Sequence, residues 1–129
     1  MKNVIVIVAL LLMGAAFQSA TPDDVMTKED GMYVVNTTKL GKDVMGYVST
    51  TPLKIYIKKN KVVKVEALKN QETPKYFAKV KKQLLEKWNG QKVNDAEKLK
   101  VDGVTGATFS SDAVIQNVQL GLKYYKQHK

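Results

Sequence analysis

The chain has no cysteine among its 129 residues. That excludes a disulfide framework, a thiolate metal site and a lipid-modified N-terminal cysteine. Its single histidine, His128, lies next to the C-terminal residue with no acidic cluster at ligand spacing beside it. We read it as a solvated residue that favours a helix C-terminus, and assign it no catalytic or metal-binding role. The one apolar run, Val4 to Met13, extends with small residues to Phe17 and falls short of the roughly 20 residues that span a bilayer. There is no internal repeat, no low-complexity tract and no second motif for NAD, haem or a metal. The basic residues outside the first twenty come singly or in pairs without an arginine–aromatic motif, so nucleic acid is not an expected partner.

What is present begins with Lys2, the apolar run, and small residues at Gly14-Ala15-Ala16 and Gln18-Ser19-Ala20. This order matches a secretory signal peptide over 1–20, with cleavage after Ala20, or after Ala16 where Gly14 stands at −3. An uncleaved anchor is the competing reading. The expected location is therefore exported: periplasmic or cell-envelope, with membrane association as one form of it. The formal charge is +9, and the first twenty residues hold one lysine and no acid, so the remainder carries +8. Such a balance fits a solvated lysine surface, acidic partners, an anionic envelope surface or phosphate-bearing ligands.

Residues 21–31 are polar, acidic and unpatterned, and are read as a linker ahead of one domain over 32–129. Met32 to Thr37 and Val44 to Thr50 are rich in strand formers on either side of Gly41-Lys42-Asp43. Gly46 inside the second marks a bulge or a close approach. Leu53 to Lys58 and Val63 to Ala67 alternate with period two around Asn60, a hairpin that would set Leu53, Ile55 and Ile57 on one face with Val63, Val65 and Ala67. Thr73-Pro74 opens a helix whose stripe is Phe77, Val80, Leu84 and Trp88 and whose stop is Asn89-Gly90. Gln91 to Lys100 reads as a connector, and from Ser111 a second amphipathic helix presents Val114, Ile115, Val118, Leu122 and Tyr125. The order predicts an α+β fold, an antiparallel sheet packed by helices on one side.

Between the helices stands Asp102-Gly103-Val104-Thr105-Gly106-Ala107-Thr108-Phe109-Ser110-Ser111. Small residues, hydroxyls and the start of a helix together make a turn suited to holding phosphate. Ser110, Ser111 and Asp112 are equally good helix caps, which is the plainer reading of the same residues.

The stretch resembles the Asp-Gly-x-Ser/Thr-Gly-Ala-Thr signature of the FMN-binding domain family, known from the sodium-translocating NADH:quinone oxidoreductase and from the Rnf complex. Glu72-Thr73-Pro74 is similar to a second signature of that family, and the likeness extends over roughly Gly46 to Tyr124. Asn60 stands where the family's hairpin turn usually has glycine. The resemblance implies FMN carried covalently on Thr108 through a phosphoester bond, on a loop just before the C-terminal helix. It implies cofactor-binding roles for Asp102, Gly103, Thr105, Gly106, Ala107, Ser110, Ser111, Glu72 and Thr73. It also implies maturation by a flavin transferase that uses FAD as donor with magnesium, with Asp102 taking part in that transfer. Lacking the equipment of a complete oxidoreductase, the chain is expected to be an electron carrier between envelope redox partners. A noncovalent FMN module, and an envelope protein of the same fold without flavin, are the alternatives.

Overall fold

The alternation from Leu53 onward produces the central hairpin of the computed structural model, which describes residues 25–129. Strand β3 (Leu53–Lys58) pairs antiparallel with β4 (Lys61–Ala67) across Lys59 and Asn60, both left-handed with φ of 52° and 62°. A two-residue type I′ turn, whose twist follows that of its strands, needs positive φ at both central positions. Leu53 pairs with Ala67 and Ile55 with Val65, consistent with the shared face expected, but the register slips between Tyr56 and Ile57, so Ile57 faces Val62. One extra residue on β4 reverses which side chains point inward. Val62 is therefore core, at 1% exposure, and Val63, expected there, is 43% exposed. The substitution Val62→Ala should cost about 2 kcal/mol and Val63→Ala under about 0.5 kcal/mol in urea unfolding. Equal costs would put the slip elsewhere.

Strand β2 (Met32–Asn36) pairs with β3, and β1 (Met26–Glu29) pairs with β2, giving an antiparallel sheet in the order β1-β2-β3-β4. The segment read as a linker thus contributes the edge strand. Asp30 and Gly31 turn the chain at φ of 51° and 78°. Backbone pairing holds β1, with only Met26 and the preceding Val25 packed against the core: Thr27, Lys28 and Glu29 are exposed. Val44 to Thr50, expected as a strand, is a loop closed by a single bridge between Met45 and Thr50. Its N–H groups go to a carboxylate instead of a ladder, as described below. The signal-peptide reading of 1–20 lies outside the described residues.

Helix α1 (Pro74–Gln83) starts at the expected proline. Thr73 occupies the cap position with extended backbone and makes no side-chain cap bond. The stripe Phe77, Val80, Leu84 and Trp88 is buried, but the helix tightens into a 3₁₀ turn over Leu85–Trp88 that swings Trp88 into the core. Gly90, at φ 81°, ends it. The connector contains a six-residue helix, α2 (Val93–Lys98), too short to show periodicity, which buries only Val93 and Ala96. Helix α3 (Thr108–His128) begins three residues before the expected Ser111 and packs on β2 and β3 through Val114, Val118, Leu122 and Tyr125. Gly121 permits that approach, because a Cβ there would overlap Ile55 Cδ1. The fold is the expected α+β arrangement.

Candidate functional site

The loop ahead of α3 is set by two small anchors and a turn. Val104 and Ala107 are each 6% exposed, the Ala107 N–H donates to the Val104 carbonyl at 2.9 Å, and Gly106 takes φ 85° between them. The Val104 N–H donates to Ser111 Oγ at 2.9 Å, which ties the loop back onto the first turn of the helix. Thr108, exposed, is the first residue of α3, and the cap residue Ala107 provides no side-chain acceptor. The opening N–H groups of the helix are therefore available to an anion.

Across from this terminus stands Glu72, 4% exposed. Its Oε1 accepts the Tyr47 N–H at 2.7 Å and its Oε2 the N–H groups of Val48 and Ser49 at 2.5 and 2.8 Å. Ser110 Oγ donates a further short hydrogen bond to Oε1. The carboxylate thus binds the 46–49 loop to the first turn of α3. Gly46 is required because a Cβ there would overlap that carboxylate, so the close approach, not a bulge, explains it. Burial alone would raise the Glu72 pKa, but the bonds from Ser110, Ser49, Val48 and Tyr47 outweigh it and hold the carboxyl below its ordinary value. The stability it confers is complete above the pKa of an unfolded-chain glutamate, about 4.3, and is lost as pH falls through the lower folded value. Thermal melts from pH 7 to pH 3 should show that loss, and Glu72→Gln should flatten its part of the profile.

The two loops and α1 enclose a cleft of about 390 Å³ lined by Tyr47, Thr73, Tyr76 and the stretch from Gly106 to Ser110. Tyr47 and Phe109 lie with ring centroids 6.2 Å apart and planes at 25°, and they are 70% and 64% exposed. Tyr76 is 41% exposed. Large aromatics left this open are placed for contact with something other than the core. The volume falls in the range of small-molecule sites, roughly 300–1,000 Å³.

A family model described as the FMN-binding domain matches residues 46–123. The chain belongs to the FMN-binding domain family. No curated protein and no solved structure matches it. The matched stretch of this FMN-binding domain opens at Gly46, on the loop that Glu72 holds, and runs well into α3; β1 and β2 lie outside it and complete the sheet.

The residues present fit FMN. An uncapped helix start meets the needs of a phosphate, and the faces of Tyr47, Tyr76 and Phe109 meet those of a planar aromatic ring. Of the residues named from the sequence, Thr108, Gly106, Ala107, Ser110 and Thr73 line this cleft. Glu72 stands behind its wall with its oxygens engaged inside the protein. The hydroxyls of Ser110 and Ser111 are likewise engaged, with Glu72 and Val104, so phosphate would meet backbone N–H groups there and not those hydroxyls. Asp102, Gly103 and Thr105 lie on the other side of the loop, along a separate opening shared with Lys87 and Lys100. The three aromatics were missed in the sequence. Their signal was position: Tyr76 and Phe109 fall off the apolar stripes of their helices, where a large ring has no core to enter.

Proposed function

We propose that this FMN-binding domain is an exported electron carrier that holds FMN on Thr108 through a phosphoester bond. The observation that carries the reading is the exposed Thr108 hydroxyl at the uncapped start of α3, on the edge of an aromatic cleft. A flavin transferase with magnesium would supply the group from FAD: Thr108 Oγ would lose its proton and bond to the FMN phosphorus, with AMP as the leaving group. Asp102, exposed on the outer side of the loop, is then positioned for the transferase to recognise while the cleft side stays free for the flavin.

Bound FMN supplies one- and two-electron redox chemistry, and the protein supplies position and surroundings. The open N–H groups of α3 would hold the phosphate, and Gly106 and Ala107 keep its approach clear. Tyr47, Phe109 and Tyr76 offer stacking faces, and Glu72 keeps two of the three walls in register without entering the cleft. A flavin covalently tied to its carrier is retained in a compartment without a flavin supply.

Intact mass of the protein co-expressed with a flavin transferase should show one added FMN that survives denaturation. FMN released by denaturation would replace this reading with the noncovalent module. Mass analysis of protein from the envelope fraction should place the mature N-terminus near Thr21. Retention of Met1 on membrane-bound material would favour an uncleaved anchor.

A further inference from the structure

The proposed function makes no use of the lysine excess, and the flavin cleft has no charged residue in its lining. Part of that charge converges elsewhere. At the end of α3 remote from Thr108, the β3–β4 turn and the crossing at Lys92 enclose a second cleft of about 400 Å³, lined by Lys59, Lys61, Lys92, Lys126 and Lys129. Asp95 is the one acid in its lining.

These charges are assembled against the local preferences of the chain. Lys61 and Lys92 face each other across an isolated antiparallel bridge, and like charges directly opposite destabilise a pairing. Lys59 takes φ 52°, which the hairpin turn requires, and lysine rather than glycine stands there although glycine would take that conformation with almost no strain. Among the described residues Lys126 has an ion-pair partner, Glu97 at 2.7 Å, whereas Lys59, Lys61 and Lys92 have none. The base of the cleft is built. Tyr125, 3% exposed, donates its hydroxyl proton to Asn60 Oδ1 at 2.5 Å, and Lys129 Nζ donates to the same oxygen at 3.1 Å. Sequence features that oppose local stability in one place are expected where they serve binding.

We propose that this cleft binds the phosphate groups of an anionic ligand, either a lipid headgroup or a free polyphosphate. Compact ammonium groups converging on a concavity suit phosphate oxygens, which accept from several donors at once. The site lies roughly 26 Å along α3 from Thr108 at 1.5 Å per residue, so its occupant leaves the flavin cleft open. It stands independently of whether the flavin is covalent.

The test uses the mature chain with two probes, inorganic pyrophosphate and vesicles of phosphatidylcholine with or without phosphatidylglycerol. Pyrophosphate should shift amide resonances of residues 59–61, 92–95 and 125–129 and leave 106–110 unmoved, or the anionic vesicles alone should retain the protein. Lys61→Ser/Lys92→Ser should weaken binding at least tenfold. Lys79→Ser/Lys82→Ser, with the same change in net charge on the exposed side of α1, should weaken it less than twofold. The first variant should melt at or above the wild-type temperature, since it removes a like-charge pair, which separates lost binding from lost folding. Vesicle retention without pyrophosphate shifts assigns the ligand to lipid, and the reverse assigns it to a soluble phosphate. Equal losses in the two variants, or no binding of either probe, would overturn the proposal.

Discussion

Thr108→Val should abolish the fluorescent flavin band that the wild-type protein shows after denaturing electrophoresis, with the fold unchanged. Valine matches threonine in shape and branching and lacks only the hydroxyl that the phosphoester requires. Thr108 is exposed and its side chain caps nothing, so the cost to stability should stay within about 0.5 kcal/mol. Thr105→Val should keep most of the label, because Thr105 lies along the other side of the loop. Asp102→Ala should cut labelling severely and still melt like wild type, since the acid is exposed and serves transfer rather than packing. A Thr108→Val protein that remained fluorescent after denaturation would place the attachment elsewhere, and a fully labelled Asp102→Ala protein would remove that acid from the transfer.

The second large effect is expected at Glu72, where one carboxylate satisfies three backbone N–H groups and a serine hydroxyl. Glu72→Ala removes the acceptor and leaves the donors behind in a partly buried site. Hydrogen bonds to a charged group contribute about 1.5–3 kcal/mol each and are not additive, so a total loss of about 3–5 kcal/mol is expected. For a domain of this size about 1 kcal/mol moves the melting temperature roughly 4–8 °C, so the fall should reach at least about 12 °C. Ser110→Ala, which breaks one of the four bonds, should cost about 1–2 kcal/mol. Flavin labelling of the Glu72 variant should also fall at temperatures well below its melt, because the Tyr47 wall is no longer tied to α3. A loss under about 1 kcal/mol would mean that water replaces the carboxylate and that the network is peripheral.

Both predictions start from residues that the sequence singles out, yet the structure gives Glu72 a different reason to be there. Glu72-Thr73-Pro74 reads as a helix start whose resemblance implies a cofactor-binding role for the glutamate, whereas its oxygens are engaged by backbone N–H groups and Ser110 inside the protein. Its partners are separated from it by 23 to 38 positions, and no local pattern reports a bond of that span. Gly46 is a parallel case: it reads as a bulge or a close approach within a strand, and what approaches is the carboxylate of a residue 26 positions away.

By itself the sequence determined the features that depend on neighbours along the chain. These are the β3–β4 hairpin with its left-handed Asn60, the Pro74 start and Gly90 stop of the helical stretch, the apolar stripe of α3, and the motif whose match to the FMN-binding domain extends over 46–123. Period, turn chemistry and capping act over a few residues and are legible there. Only the tertiary structure decided the rest. It made 26–29 an edge strand, because pairing with β2 supplies hydrogen bonds that the side chains do not advertise. It slipped β4 by one residue and turned Val63 outward. It diverted the N–H groups of 47–49 from a ladder to Glu72, committed Ser110 and Ser111 to partners inside the protein, and brought Tyr47, Tyr76 and Phe109 to one cleft. Each is a choice between partners that become neighbours only once the helices have closed over the sheet, and the energy that decides it exists nowhere in the unfolded chain.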